Sequence, residues 1–317
     1  MSDRLKYLLN GVYKCENFAQ CVINDNFEYL YVGESWWNNW YMELSPQIVN
    51  DRLVINPWLS CDIGDIGTEV QSQIRAYFNF LKKDGSSGFK IALNNLYWPS
   101  DNGIVEAYMD VEELLDEKNG FLDNGSLTIE YGYQIESQKF YDDGIWRFNL
   151  VDVFFDWNNQ DNMFIFLIDY GTDKRPVFAH RQIVKLHSKK IFDFNENWVR
   201  GPNDNSLDYY DVIDCLQIVH GVREKLSHWD ISKIRLEKVS KIARIASHYG
   251  FFNTIRYCEQ QLIEIDEHPK LNTTNFELAV DCNMRRYLIH LLIHINTKQL
   301  AKLLHQSMKA CVAKLFN

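Results

Sequence analysis

The sequence lacks the short motifs that mark common catalytic and nucleotide-binding sites. It contains no G-x-x-x-x-G-K-[ST] loop for phosphates, no H-E-x-x-H pair for zinc and no G-x-S-x-G turn for a nucleophilic serine. Each motif places a reactive group at a fixed point of a turn or helix, so the usual sequence grounds for these enzyme classes are missing. We therefore predict a protein without catalytic residues and without a cofactor.

Paired metal or disulfide motifs are also missing. The chain has seven cysteines, an odd number, and no two are spaced as Cys-x-x-Cys. This usage is typical of free thiols in a reducing compartment. His290 and His294 have the i,i+4 spacing of a metal pair, but the sequence offers no supported third ligand. The flank of an amphipathic helix is the preferred interpretation, and no metal is predicted.

Long hydrophobic runs are absent too. The first ten residues mix charges with few apolar side chains and have no apolar segment typical of a secretory signal. The longest apolar run, 287–295, is interrupted by two histidines and is too short to cross a bilayer. We therefore expect a cytoplasmic or nuclear protein with no membrane partner.

The charge of the chain is unevenly distributed. Residues 221–317 hold 15 Lys and Arg against 9 Asp and Glu, a net charge of +6. Because the whole chain has a net charge of −10, residues 1–220 carry −16. An acidic body repels phosphates, which argues against a nucleic-acid partner. The basic end is interpreted as solvated helix faces, with contact to an acidic surface as the alternative.

Residues 12–136 show mostly strand patterns. Several segments alternate apolar and polar residues or are rich in β-branched and aromatic side chains, and turn residues separate them. The predicted strands include Trp40–Leu44, Arg52–Ile55, Val70–Phe78 and Ser126–Tyr131, with turns at Asn50-Asp51 and Asn124-Gly125. One helix is predicted over Tyr108–Lys118. This punctuation indicates an antiparallel β-sandwich.

From about Leu150 to Ile263 the pattern becomes mixed strand and helix. Asp152–Phe155 and Phe164–Ile168 are predicted as paired strands. The predicted helices are Arg181–Ile191, Tyr209–His220, Leu236–Tyr249 and Thr254–Ile263. Residues 278–288 then repeat the pattern of 245–255 at an offset of 33, which predicts two stacked helical pairs.

The end of the predicted sandwich is similar to a known family. After the predicted helix come Asn119-Gly120-Phe121-Leu122, then Asn124-Gly125, then Leu127-Thr128-Ile129-Glu130. This order resembles the closing phrase of a MATH (TRAF-like) domain. The resemblance implies a domain over residues 5–137 that captures proteins.

The second part of the chain resembles a BTB/POZ domain. The resemblance rests on Val177-Phe178-Ala179-His180 followed by Val184, Ser188 and Ile191-Phe192. It is supported by Asp152-Val153 at the start and by Cys258-Glu259-x-x-Leu262 near the end. The resemblance implies a dimerising, non-catalytic domain over 148–265, with a helical extension over 268–317.

The family resemblance also implies roles for individual residues. His180 would be structural and near the dimer interface, Asp152 would help to fix the same corner, and Ser188 belongs to the same motif. Tyr97, Trp98 and Tyr108 are candidates for a recognition surface, with plain packing as the alternative.

A contact with a cullin scaffold is the remaining implied feature. BTB domains often use a hydrophobe-x-Glu triplet, which Phe194-Asn195-Glu196 matches several residues early. The better-aligned place holds Trp198-Val199-Arg200-Gly201, which has no acid. Phe194, Glu196 and Trp198 are therefore the candidates for cullin contact.

Together these patterns predict an α+β protein: an N-terminal antiparallel MATH-like β-sandwich, then an α/β BTB domain with a C-terminal helical extension. The predicted function is a homodimeric adaptor that recruits proteins to a cullin-based ubiquitin ligase. The alternative is a dimeric scaffold that does not bind cullin.

Overall fold

The computed structural model describes residues 3–36, 38–62, 70–98, 108–140, 144–153, 162–170, 173–192, 198–201, 208–223, 232–265, 273–293 and 301. The chain forms two compact units, Met1–Gln160 and Asp161–Asn317. Its fold is mixed α+β, with extensive antiparallel sheet and a helical C-terminal part, which confirms the predicted class at that level.

The described part of the first unit contains two antiparallel sheets. One sheet comprises β1 (Leu9–Cys15), β5 (Val70–Leu81), β6 (Ser87–Trp98), β8 (Leu122–Asp123), β9 (Ser126–Phe140) and β10 (Trp146–Phe148). The other comprises β2 (Leu30–Ser35), β3 (Asn38–Val49), β4 (Arg52–Asp62) and β7 (Met109–Asp110). Two short helices, α1 (Phe18–Asn24) and α2 (Val111–Leu115), accompany them.

A single hydrophobic core joins these two sheets. Trp40 and Met42 of β3 are fully buried in one cluster with Phe78 of β5 and Ile129 of β9. Because alternate side chains of a strand point to opposite faces, each sheet contributes one face to this core. The first unit is therefore a layered antiparallel sandwich.

Turn chemistry sets the register of two hairpins. Asn50 and Asp51, between β3 and β4, have φ values of +50° and +62°. Asn124 and Gly125, between β8 and β9, have φ values of +50° and +81°. Two successive residues in the left-handed region match the twist of antiparallel strands, which is why Asn, Asp and Gly occupy these positions. Both turns are confirmed.

The first unit differs from the prediction in two places. Helix α2 is shorter than predicted because the Asp110 side chain accepts a hydrogen bond from the Glu112 amide and starts the helix there, which leaves Tyr108 outside it. Strand β9 continues to Phe140, and Trp146 of β10 pairs back with Lys139. The sheet of the first unit therefore continues past residue 137.

The second unit starts with a three-stranded sheet. Strand β11 (Met163–Tyr170) forms an antiparallel hairpin with β12 (Asp173–His180) and pairs in parallel with β13 (Trp198–Arg200). The prediction that 152–155 pairs with 164–168 is wrong for the described residues, because Asp152 and Val153 lie outside any strand. Phe154 and Phe155 lie outside the described residues.

Helices make up the remainder of the described second unit. They are α3 (Arg181–His187), α4 (Lys189–Phe192), α5 (Tyr209–Val219), α6 (Ser232–Tyr249), α7 (Phe252–Ile265), α8 (Thr273–Asp281) and α9 (Arg285–Ile293). The predicted helix 181–191 is thus interrupted at Ser188. The other predicted helices are present, with ends shifted by a few residues.

The internal repeat is confirmed at the level of single backbone groups. Gly250 and Asn283, 33 residues apart, both have positive φ, +76° and +53°. The amide of Phe251 donates to the carbonyl of Ala246 at 2.8 Å, and the equivalent Met284 amide donates to Ala279 at 2.8 Å. Each helical pair therefore turns through the same C-terminal cap. The pairs stack in register, with α8 on α6 and α9 on α7.

A buried ion pair connects α5 with α6. Asp211, which is 1% exposed, accepts a hydrogen bond from Lys238 Nζ at 2.9 Å and shares a capping box with Asp208. Lys238 also lies 2.6 Å from Asp214. Burial lowers the pKa of Lys238, but the two carboxylates outweigh it and raise that pKa above its usual value. The charge of Asp211 is therefore compensated inside the fold.

Replacing Lys238 should destabilise the second unit. We expect Lys238→Met to lower the free energy of unfolding by about 2–3 kcal/mol, because it leaves a buried carboxylate without its closest cation. Urea unfolding measures the loss. Lys241→Met is the matched control, since Lys241 is similarly exposed but lies 3.9 Å from Asp211. Equal losses in the two variants would contradict a specific role for Lys238.

The repeat predicts opposite responses at its two turns. Gly250→Ala should cost about 1–2 kcal/mol of unfolding free energy, because an L side chain is strained in the left-handed region. The added Cβ would also lie 3.0 Å from Lys190 Cγ. Asn283→Gly should cause no loss, since glycine relieves the same strain. Thermal unfolding of both variants checks the pair, and destabilisation by Asn283→Gly would show that its side chain matters.

Candidate functional site

The motif residue His180 lies at a junction of sheet and helix. It ends β12 and precedes the first residue of α3. Its backbone N–H donates to Nε2 of His220 at 3.2 Å, and the two rings are 5.3 Å apart. Nδ1 of His220 lies 2.7 Å from the carbonyl of Leu216. Since Nε2 accepts, Nδ1 carries the proton and donates, which defines the neutral tautomer of His220.

Burial disfavours the charged form of both imidazoles. Burial lowers the pKa of His180, and burial lowers the pKa of His220 to about 4 against the opposing hydrogen bond to Leu216. The nearby charges of His180 and His187 act in the same direction as burial on His220. The backbone N–H of His180 is thus bonded to a largely buried ring of the second unit, and the structural role of His180 stays a prediction.

Ser188 connects the α3–α4 break to the turn between α6 and α7. Its hydroxyl donates to the carbonyl of Tyr249 and accepts from the amide of Ile191 at 3.0 Å. Ser188 also forms a β-bridge with Phe251. Lys190 adds bonds to the carbonyls of Ser247 and His248, at 2.8 and 3.1 Å. The motif serine is therefore a buried structural residue that satisfies the C-terminal end of α6.

Asp152 is anchored in the first unit. Its carboxylate accepts hydrogen bonds from the Ser35 hydroxyl and from Asn149 Nδ2, the latter at 2.6 Å. Its amide donates to Asn149 Oδ1 at 3.2 Å. Burial raises the pKa of this carboxyl, and the bonds from Ser35 and Asn149 counteract the rise only in part. These bonds join Asp152 to Ser35, the last residue of β2, and its expected role beside His180 stays a prediction.

The candidates for cullin contact are only partly described. Trp198 opens β13, pairs with Ile165 of β11 and is 39% exposed. Leu186 on α3 is 79% exposed. Phe194 and Glu196 lie outside the described residues. The described surface therefore offers apolar side chains on two elements of the second unit.

The recognition candidates of the first unit, Tyr97, Trp98 and Tyr108, do not lie on one strand. Tyr97 near the end of β6 is 52% exposed, and its ring meets Trp146 of β10 at 5.8 Å in an edge-on arrangement. Trp98 ends the same strand, but its side chain lies outside the described residues. Tyr108 is 38% exposed and precedes β7. The described partner of Tyr97 is thus Trp146, which sequence reasoning missed.

His290, the candidate for a metal pair that lies in the described residues, contacts an aromatic ring. The ring of His290 stacks on Tyr287 at 6.4 Å, and His294 lies outside the described part. In that part, no group of three or more His, Cys, Asp or Glu side chains is arranged to hold a metal ion. Among the described helices, none has the length and apolarity needed to cross a membrane.

Comparison with known proteins identifies no family for this chain. No protein-family model matches the sequence, and no curated protein is significantly similar to it.

The largely buried ring of His220 predicts a loss of stability in mild acid. Because the pKa of His220 is about 4 in the folded protein and 6.5 when unperturbed, the unfolded chain binds more protons below pH 6.5. The contribution of the neutral His220 ring to the free energy of unfolding is fully present above that pH and is lost as the pH drops. From pH 6.5 to pH 5 the loss from His220 should be about 1.5 kcal/mol.

Urea unfolding at several pH values measures this dependence. His220→Gln removes the titrating ring, so the variant should lose less stability over the same pH interval whatever its stability at neutral pH. An unchanged slope in His220→Gln would show that another group causes the acid sensitivity.

Proposed function

We propose that this chain is a non-catalytic, dimeric protein-binding adaptor. The first unit captures a protein, and the second unit dimerises and holds a cullin scaffold for ubiquitin transfer. The proposed location is the cytoplasm or the nucleus. The observation that carries the proposal is the exposure of large apolar side chains on the second unit, Leu186 on α3 and Trp198 on β13.

The surroundings of the motif residues support a structural rather than a chemical role for the motif. The backbone N–H of His180 bonds to His220 at the end of α5, and the Ser188 hydroxyl bonds to Tyr249 at the α6–α7 turn. These bonds fix both ends of α3, which carries Leu186, while pairing with β11 fixes β13, which carries Trp198. A rigid framework with exposed apolar side chains suits protein binding, since less ordering entropy is lost on association.

An aromatic pair of the first unit, the exposed Tyr97 and the half-buried Trp146, supports a capture surface. Tyr97 and Trp146 present rings that are large and lose little conformational freedom when a partner binds. In a dimer, two such surfaces act together and raise the effective affinity for a multivalent partner without new contacts.

A dimeric scaffold that never binds cullin is the second candidate. The absence of an acid in Trp198-Val199-Arg200-Gly201 favours it, because the cullin triplet of the resembled family contains a glutamate. The segment Asp101–Val105 also lacks Trp and Phe, and its structure lies outside the described residues.

Light scattering on a sizing column separates these candidates. The purified chain, mixed with the N-terminal region of a cullin, should form a two-to-two complex. Phe194→Ala with Glu196→Ala, and Trp198→Ala separately, should weaken this complex while the dimer persists. A dimer that does not bind cullin would refute the adaptor and support the scaffold, and a monomer would refute both candidates.

Tyr97→Ala is the matched control for these variants. It also removes a half-exposed aromatic ring, but from the first unit, so it should leave the cullin complex intact. Loss of cullin in Tyr97→Ala would contradict the proposed division of work between the units.

A further inference from the structure

A groove in the helical repeat carries an unusual set of charges. It encloses about 490 Å³ between the start of α7 and the turn that joins α8 to α9. Arg256, Arg285 and Arg286 line it, together with the apolar side chains of Phe252 and Ile255. All of these residues belong to the second unit, and all three arginines are exposed.

Glu259, the acid that lines this groove, bonds to backbone amides rather than to the arginine side chains. Glu259 is 7% exposed, and its Oε1 accepts from the amides of Arg286 at 2.5 Å and Tyr287 at 3.1 Å. It thereby compensates the first backbone donors of α9. In the described part of the chain, no carboxylate forms a salt bridge with the side chain of Arg256, Arg285 or Arg286.

The position of two of these arginines is unfavourable for stability. Arg285 and Arg286 are adjacent in the first turn of α9. The N-terminus of a helix carries partial positive charge, so cations there are repelled by the helix and by each other. Stability alone would favour acids at these positions. A cost of this kind at exposed residues is typical of a binding surface.

The remainder of the groove indicates what kind of partner fits. Phe252 is 48% exposed beside the arginines and offers an apolar contact. Arginine guanidinium groups bind carboxylates through paired hydrogen bonds. The net charge of −16 over residues 1–220 repels long polyanions such as nucleic acids more than short acidic segments.

We propose that this groove, lined by Arg256, Arg285, Arg286 and Phe252, docks an acidic peptide segment of a partner protein. Carboxylates of the peptide pair with the arginines, and one apolar side chain of the peptide packs on Phe252. The surface goes beyond the proposed adaptor function and does not depend on it, because it includes neither the cullin candidates nor Tyr97.

Fluorescence anisotropy with the full chain tests this surface. The probe is a labelled glutamate-rich peptide with one central leucine, compared with the same peptide carrying lysine for glutamate. We expect the acidic peptide alone to bind, and Arg285→Gln with Arg286→Gln to weaken it about fivefold to tenfold. Phe252→Ala should weaken it too, and added salt should reduce binding to the unaltered protein.

The matched control removes two exposed cations from strands of the same unit, Lys174→Gln with Arg200→Gln. It makes the same change in net charge and should leave the affinity unchanged, and circular dichroism confirms that each variant is folded. Equal losses in both double variants would reduce the effect to net charge and overturn the proposal. Single-stranded RNA that binds as tightly, with the same arginine dependence, would also overturn it.

Discussion

The turn at Gly250 is the constraint on which the arrangement of the second unit depends. Gly250 takes a left-handed conformation that lets α6 end and α7 begin within two residues. On one side of the turn, Ser188 and Lys190 satisfy the last carbonyls of α6. Phe166 of β11 packs edge-on against Tyr249 at 5.0 Å. The sheet, the α3–α4 break and the helical repeat thus meet at one point, and Asn283 reproduces the turn for the next pair.

Local chemistry explains the features that could be predicted from the sequence. The turns at Asn50-Asp51 and Asn124-Gly125 were predictable because those residue types tolerate positive φ. The repeat was predictable because its buried positions recur at an offset of 33, as with Ala246 and Ala279. The helix over Tyr108–Lys118 was predicted too long at its start, because the apolar spacing begins before Asp110, the residue that caps the first turn.

Contacts between distant residues explain the failures. Strand β13 has three residues and pairs with β11 from more than thirty positions away, so no local pattern marks it. The partner of the Asp152 carboxylate, Ser35, is 117 positions away. Trp146 gave no signal as the neighbour of Tyr97, because their contact requires β10 to fold back on β9. For the candidate site, the sequence offered candidate residues, whereas the partners of His180, Ser188 and Tyr97 could be found only from tertiary structure.

The distribution of charge connects the proposed functions. Exposed ion pairs are screened by salt and are individually weak, so one arginine groove holds an acidic segment only transiently. Such a contact becomes selective when a second one reinforces it, as a dimer or a second surface on the same chain would do. Glu259 offsets part of the unfavourable charge at the start of α9, since its carboxylate accepts hydrogen bonds from the Arg286 and Tyr287 amides. The guanidinium groups stay exposed to solvent. The buried Glu259 of α7 thus contributes to stability, while the exposed guanidinium groups of Arg256 on α7 and of Arg285 and Arg286 on α9 remain for recognition.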